Sequence, residues 1–297
     1  MPDILFALTG DVRRNSRALR QLRALAGIGA SVDVLALAES EERFTIDPGI
    51  SVRFLPTPDG SGPLFFWRTH RLFHRASAGT SADVYHASDL YALPAMSSAA
   101  SERNASLTFD SRELYPYVAA TTGRPWVRWF WQAVESVYLP ETDAVFTVNE
   151  SIANALYKSY DIPRPTVLYN APSREEITPT DYLRETTGIP QEQAIVLHQG
   201  SMRRDRGCEQ LVDAIGTVDD AALVFLGSGP LKETLERKAV QRNLQNSVYF
   251  VPPVRPDELL PVTAGADIGV TLLQDTCRNH RLALPNKLFE YVMAGVP

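Results

Sequence analysis

The sequence predicts an α/β protein made of two Rossmann-like halves, each with a parallel sheet. Short apolar runs alternate with longer segments of helical period, and this alternation occurs in two series. A polar, proline-punctuated stretch at 171–190 separates the two series. We therefore place one domain at 1–172, a linker at 173–190 and a second domain at 191–297. Ligands bind at the carboxyl ends of parallel strands, so two such sheets are expected to face each other across a cleft.

The first half begins with a complete βαβ unit. Residues 4–8 and 32–37 are apolar runs, and 15–27 places Ala18, Leu19 and Leu22 on one helical face. The same alternation predicts further strands at 52–55, 84–86, 106–109, 144–148 and 167–169, and helices at 64–76, 92–102, 126–139 and 151–160.

The second half repeats the pattern. We expect strands at 195–198, 223–226, 248–251 and 268–271, and helices at 207–215, 230–243 and 258–264. A last helix is predicted to start with Asn286 as N-cap and to end at Gly295. The sequence stops where another strand is due, so we expect this domain to be incomplete, with an exposed sheet edge.

Composition and charge exclude several function classes. With 44% hydrophobic and 22% charged residues the chain is an ordinary globular protein. A net charge of -6 opposes general nucleic-acid binding, which requires a basic face. The two cysteines, Cys208 and Cys277, are too far apart in sequence to indicate a disulfide framework or a metal site. Without a signal peptide or a bilayer-length apolar run, a cytoplasmic protein is expected, and peripheral contact with the inner membrane face remains open.

A loop at 199–207 follows the first strand of the second half. It has Gly200 and Gly207 at its ends and three arginines, including Arg206, between them. Glycine allows a phosphate to approach the backbone, and arginine offers a forked cationic donor, so a diphosphate site is favoured over a solvated basic loop. The glycine-containing turn at 226–230 lacks the third glycine of a dinucleotide fingerprint, which argues against NAD.

Polar groups also follow two strands of the first half. His86 ends one predicted strand, and Asp110 and Glu113 follow the next. Taken singly, a packed histidine is the more common explanation for His86, and helix capping is the more common explanation for Asp89 and Ser111. Together, at one edge of a sheet, they favour a substrate site.

An aromatic cluster at 126–131 is the densest in the chain. It comprises Trp126, Trp129, Phe130 and Trp131, with Arg124 and Arg128 nearby. Core or interdomain packing is the default interpretation. The alternative is contact with a lipid-linked or membrane-bound substrate, because tryptophan and arginine suit an interface.

In order and spacing, several segments resemble the two-domain GT-B glycosyltransferases, specifically the large family of retaining enzymes that use nucleotide-activated sugars (glycosyltransferase family 4 type). These segments are 15–19, 85–90, 110–114, 199–207, 226–230, 266–270 and, above all, 284–291. The resemblance covers essentially the whole chain.

The resemblance implies transfer of a hexose from a nucleotide-diphosphate sugar to a hydroxyl on a glycan, lipid carrier or small molecule. It further implies a retaining reaction without a bound metal or cofactor. Glu290 would accept hydrogen bonds from the donor ribose, Arg206 would contact the pyrophosphate, and Asn286 and Lys287 would meet the phosphates or the sugar. Gly200 would lie beside them. Asp110, Glu113 and His86 are the candidates for catalysis.

Two departures from the family pattern leave alternatives open. Leu282 stands where the family often has an acidic residue, and Arg112 stands where many relatives have histidine. A non-catalytic GT-B-like binding or scaffold protein therefore remains an alternative, because fold alone does not determine function. A nucleotide-sugar epimerase is another, since it would share the donor site but need no acceptor pocket.

Overall fold

The computed structural model describes residues 3–39, 44–60, 62–172, 174 and 176–297. The chain divides into two compact units, Met1–Tyr169 and Asn170–Pro297. Each unit contains one parallel sheet with helices packed on it, which confirms the predicted α/β class. No helix in the described ranges is both long and apolar enough to cross a bilayer.

The first unit is built on a seven-stranded sheet in which all the paired strands are parallel. Its strand order is β3-β2-β1-β4-β5-β6-β7. The strands are β1 (Asp3–Leu8), β2 (Ser31–Leu37), β3 (Ile50–Leu55), β4 (Val84–Ala87), β5 (Ser106–Ser111), β6 (Ala144–Thr147) and β7 (Thr166–Val167).

Five α-helices connect these strands. They are α1 (Ser16–Gly27), α2 (Gly62–Ser77), α3 (Leu93–Arg103), α4 (Pro125–Tyr138) and α5 (Glu150–Ser159). Helix α1 begins where predicted because the Asn15 side chain accepts a hydrogen bond from the Ala18 N–H and so caps the first turn. Its apolar face packs on β1 and β2 in a core that includes Phe6, Leu22 and Val34. Strand β1 is buried from its second residue onward, as expected for a central strand covered on both faces.

The second unit contains a four-stranded parallel sheet in the order β10-β9-β8-β11. Its strands are β8 (Ala194–Gln199), β9 (Ala221–Leu226), β10 (Val248–Val251) and β11 (Ile268–Gly269). Its helices are α6 (Tyr182–Thr187), α7 (Cys208–Ile215), α8 (Lys232–Gln241), α9 (Leu259–Thr263), α10 (Arg278–Leu282) and α11 (Asn286–Met293).

Two cores cover the two faces of this sheet. Helices α7 and α8 contribute Val212 and Leu235 to one core, where they meet Phe225. The other core joins Leu183 of α6, Val262 of α9 and Tyr291 of α11 to the opposite side chains of β8 and β9. The second core fixes α11, whose first turn then lies at the carboxyl end of β8.

Besides shorter ends of β7, β11 and α11, the structure differs from the sequence-based expectation in three further ways. The stretch predicted as a linker, 173–190, contains helix α6, whose Leu183 is fully buried; residues 173 and 175 lie outside the described residues. Helix α10 was not predicted. The prediction of Asn286 as an N-cap is wrong, because Asn286 is already helical and Pro285 occupies the cap position without a side-chain hydrogen bond.

Candidate functional site

The loops after β8 and β9 touch each other backbone to backbone at the carboxyl edge of the second sheet. A Cβ atom on Gly227 would lie 2.2 Å from the Gly200 carbonyl oxygen, and one on Gly229 would lie 2.4 Å from the Met202 oxygen. Gly200 and Gly227 also have φ angles of 100° and 146°, which favour glycine. Glycine at these positions leaves the backbone at the end of β8 uncovered by side chains of its own.

The side chain of Lys287 lies over this backbone. Its Cε would be 3.4 Å from a Cβ atom on Gly200, and its Nζ lies 3.4 Å from Nε2 of His198. Burial, followed by the charge of Arg206, lowers the pKa of Lys287 from 10.5 to about 8. The carboxylates near it, including Glu290, raise the pKa by less.

His198 is the neutral partner of this lysine. Burial, then Lys287 and Arg206, lower its pKa to about 3, so the imidazole is uncharged at neutral pH. Its ring packs against Phe225 at 5.4 Å between centroids, and Nε2 lies 3.7 Å from the Cys208 sulfur. Two cations thus lie beside a neutral ring, an arrangement that an anion placed between them would stabilise.

Glu290 is oriented by a chain of hydrogen bonds. Gln199 donates from Nε2 to Oε2 of Glu290 at 2.5 Å, and its own Oε1 accepts from the Thr263 hydroxyl at 2.8 Å. The Tyr291 hydroxyl accepts from the Gln199 N–H at 3.3 Å and donates to backbone carbonyl oxygens of β8 and of residue 270. Gln199 and Thr263 were not among the sequence-predicted site residues, although Gln199 begins the segment 199–207 in which a diphosphate site was predicted.

The predicted donor-binding residues come together in the second unit. Gly200, Lys287 and Glu290 are linked by the contacts above, and Arg206 acts electrostatically on Lys287. Asn286 precedes Lys287 as the first residue of α11. A second contact holds the loop 199–207, since Nε2 of His280 in α10 lies 3.2 Å from Oδ2 of Asp205. Within the described ranges no three His, Cys, Asp or Glu side chains are grouped to hold a metal ion.

In the first unit, Asp110 takes part in a buried ion pair. Its two oxygens accept from Nε and Nη2 of Arg17, each at 2.7 Å, and Oδ2 also accepts from Gln21 at 3.0 Å. Asp110 is 0% exposed. Burial raises its pKa, but the hydrogen bonds and charge of Arg17 outweigh this, and the net shift is downward. Asp110 is therefore an ionised carboxylate whose lone pairs are already engaged.

His86 lies on the strand next to Asp110. Its Nδ1 is 2.9 Å from the Thr108 hydroxyl, its ring stacks on Phe6, and its Nε2 is buried without a hydrogen-bond partner in the described structure. Burial lowers its pKa to about 4, partly offset by the charge of Asp110, so His86 is neutral at pH 7. A buried polar atom without a partner calls for an explanation, and a hydrogen bond to a bound group is one that fits a position beside Asp110.

The third predicted catalytic residue, Glu113, differs from the other two because it is exposed. It lies near the same group of side chains, since its charge helps to raise the pKa of Tyr91 after burial and Asp89. Asp89 itself accepts hydrogen bonds from the backbone N–H groups of Tyr91 and Ala92 and from Thr9, so it holds the turn before α3, whose N-cap is Ala92 without a side-chain hydrogen bond.

Arg112 faces this group from the end of β5. One nitrogen lies 3.5 Å from Oδ2 of Asp89, and Tyr115 and Asp89 raise its pKa against the effect of burial. The first unit therefore presents a neutral histidine, exposed Glu113 and a carboxylate-paired arginine at the carboxyl edge of its sheet. The catalytic assignment of these residues stays a prediction.

Comparisons with known proteins identify the family and the fold. The model of the "Glycosyl transferase 4-like domain" matches residues 15–171, and that of "Glycosyl transferases group 1" matches 180–297. A putative colanic acid biosynthesis glycosyl transferase of Escherichia coli is 27% identical over 139 residues, which are 43% of this chain and 33% of that protein. The matched stretch thus spans about a third of that relative.

Two solved structures share the fold. Sucrose-phosphate synthase from Thermosynechococcus elongatus superposes with a TM-score of 0.72 at 18% identity, over 91% of this chain and 75% of that one. Anabaena HepE, in complex with UDP-glucose, gives a TM-score of 0.72 at 14% identity, over 100% of this chain and 79% of that one. With a family model matched over more than half of its length, the chain belongs to the GT-B glycosyltransferases, as a glycosyl transferase 4-like domain followed by a group 1 domain.

Proposed function

We propose that the protein transfers a hexose from a nucleotide-diphosphate sugar to a hydroxyl on a glycan, lipid carrier or small molecule. The reaction is retaining and uses cationic side chains, without a bound metal, to stabilise the leaving diphosphate. Support comes from the family membership and from HepE, a protein of the same fold that was crystallised with UDP-glucose.

The observation on which the donor site depends is the cationic pair of Lys287 and Arg206. Lys287 has a pKa near 8 because it is partly desolvated beside a second positive charge, so its ammonium is poorly compensated in the free protein. A diphosphate would relieve this cost, and it would develop more negative charge as the glycosidic bond breaks. Cations aimed at that charge lower the barrier of the reaction.

Glu290 has the complementary task of holding the nucleoside. Gln199 fixes one of its oxygens, and the carboxylate can accept from two vicinal ribose hydroxyls. Gly200 and the start of α11 at Asn286 complete the site, since both offer backbone close to where the phosphates would lie.

The acceptor would bind in the first unit. His86 is neutral, and its unpartnered Nε2 is suited to a hydrogen bond with a sugar or hydroxyl group. Glu113, which is exposed, would receive the proton of the acceptor hydroxyl. Asp110 keeps Arg17 in place and contributes its negative charge to the field at His86, which makes it a positioning residue.

Isothermal titration with UDP, GDP and ADP, and with their hexose conjugates, tests the donor site. We expect one base to bind, and we expect Arg206→Ala and Glu290→Gln to weaken binding by about 10- to 100-fold, as for charge-assisted hydrogen bonds. Arg242→Ala is the matched control, because Arg242 pairs with Asp213 at the end of α8 and lies away from the carboxyl edge. Equal affinity in all three variants would remove the proposed site.

Product analysis then separates the candidate functions. Transfer requires that nucleoside diphosphate and glycosylated product appear together, and only with acceptor. An altered sugar formed without acceptor would indicate an epimerase, and tight donor binding without turnover would indicate a binding or scaffold protein.

A further inference from the structure

Three of the four tryptophans are on the surface of the first unit. Trp67 of α2 is 54% exposed, and Trp126 and Trp129 of α4 are 62% and 70% exposed. Trp131, the fourth, is buried. Exposed rings of this size are costly in water, and grouped on one surface they indicate an interaction site.

Helices α2 and α4 touch through aromatic rings, which places the exposed tryptophans on neighbouring helices of the first unit. Phe66 lies 5.3 Å from Phe130 and 5.4 Å from Trp131 between ring centroids. Trp67 follows Phe66, and Trp129 precedes Phe130. We call the exposed side chains of the two helices the tryptophan surface; its members are Leu64, Trp67, Arg68, Arg71, Arg75, Arg124, Trp126, Arg128 and Trp129.

The charge of this surface is opposite to that of the protein. Helix α2 contains three arginines and no acidic residue, and Arg124 and Arg128 flank the first turn of α4. The one acidic residue in these two helices, Glu135, is 0% exposed, whereas the whole chain has a net charge of -6. The Arg71 guanidinium lies over the Trp67 ring at 5.3 Å, which combines cation and aromatic ring in one amphipathic unit.

We infer that the tryptophan surface docks on a bilayer containing anionic lipids. Tryptophan and arginine prefer the interface between headgroups and acyl chains, and clustered arginines are attracted to anionic headgroups. A second copy of this chain is a poorer partner, because a two-fold contact through this surface would set arginines against arginines.

Aromatic rings of the same two helices reach the candidate acceptor site. Tyr91, two residues after Asp89, lies 4.9 Å from Trp131 and 5.6 Å from Phe65 between ring centroids. Docking would therefore bring the carboxyl edge of the first sheet close to lipid headgroups, where a lipid-linked acceptor is found. This consequence rests on the proposed function, whereas the docking itself does not.

Flotation of the full chain with vesicles tests the inference. We expect binding to vesicles of phosphatidylcholine mixed with phosphatidylserine, weaker binding to phosphatidylcholine alone, and loss of binding as salt is raised. Since three of the four tryptophans are exposed, their emission should shift to the blue on binding. Arg124→Glu with Arg128→Glu should weaken binding by about fivefold or more per residue. Trp126→Ser with Trp129→Ser should weaken it by about tenfold or more.

The matched control is Val240→Ser with Arg242→Glu. It removes an exposed apolar side chain and an exposed arginine from the second unit, and we expect unchanged vesicle binding. Absence of vesicle binding, or equal loss in the control, would overturn the inference, and so would a dimer in sedimentation equilibrium that the tryptophan variant dissociates. UDP affinity, measured on the same variants, separates membrane docking from the proposed function. Loss of vesicle binding with unchanged UDP affinity would count against docking alone, and absence of UDP binding with intact vesicle binding would count against the donor site alone.

Discussion

Lys287→Met should change nucleotide affinity and stability in opposite directions. Methionine keeps the apolar length of the side chain and removes the ammonium that would contact the diphosphate. The loss of one charge-assisted hydrogen bond, about 1.5–3 kcal/mol, corresponds to an affinity for UDP or GDP about 10- to 100-fold weaker. In the free protein the same ammonium is partly desolvated beside Arg206, so its removal should raise the free energy of unfolding at pH 7 by ~1–3 kcal/mol.

The pH dependence follows from the lowered pKa of Lys287. The folded-state pKa is about 8 and the reference value is 10.5, so the cost to stability is full below pH 8 and is relieved between pH 8 and 10.5. A bound diphosphate favours the charged form, so affinity should fall by about tenfold between pH 8 and 9 and by no more than about 100-fold in all. Lys287→Met should show neither trend.

Isothermal titration at pH 7 and pH 9, with urea unfolding of the free protein, measures both effects. Lys158→Met is the control, because Lys158 is an exposed lysine of α5 in the other unit. The reasoning is refuted if Lys287→Met binds nucleotide within twofold of the wild type. It is equally refuted if affinity and stability fall together, since the lysine would then be a structural residue.

Three further predictions concern buried groups and close contacts. Burial raises the pKa of Glu135 from 4.5 to about 8, so the folded first unit holds a proton that the unfolded chain releases, and its stability should fall as pH rises between those values. Glu135→Gln should reduce this fall in the free energy of unfolding by ~3 kcal/mol between pH 5 and 7.5. Urea unfolding monitored by tryptophan fluorescence measures it, and the same dependence on pH in the variant and the wild type would contradict the prediction. Gln199→Met should weaken UDP binding by about tenfold, because it releases Glu290, but should leave pyrophosphate binding unchanged. Both affinities are measured by titration, and an equal loss for UDP and pyrophosphate would contradict the prediction. Gly227→Ala should destabilise the second unit by ~3 kcal/mol or more, because its Cβ would lie 2.2 Å from a backbone oxygen. Gly27→Ala is the control: a Cβ at this position in α1 meets no other atom within 4 Å, so the variant should be neutral or stabilising. Chemical denaturation measures the stability of both. Equal effects of the two glycine variants would show that the contact is not the cause.

Much of the fold could be predicted because the strands of a covered parallel sheet are almost wholly apolar. Residues 4–8 and 223–226 lie inside β1 and β9, and the break between the two series of elements falls near the boundary of the two units. The short helices α6 and α10 were missed, since five or six residues hold too little periodicity to stand out from a loop. Asn286 was misplaced by one position because the preceding proline, with φ of -65°, can take the cap position itself.

The candidate site was predictable only in part. The glycines after strands stand out in sequence as a phosphate-site pattern, whereas Lys287 and Glu290 were assigned by resemblance to the family. The pairing of Arg17 with Asp110 spans 93 positions, and no local pattern shows it. The same holds for Gln199, whose contact with Glu290 spans 91 positions. In α4 the residue types did not separate buried Trp131 from exposed Trp126 and Trp129, because only the packing of α2 against α4 decides which rings are covered.

The crystal structure of the protein with its tightest-binding nucleoside diphosphate tests the central claim most directly. We expect a diphosphate at the carboxyl end of β8, within hydrogen-bond distance of Lys287 Nζ and beside Arg206, with the ribose hydroxyls on Glu290. A diphosphate bound away from Lys287, or a ribose that does not contact Glu290, would contradict it.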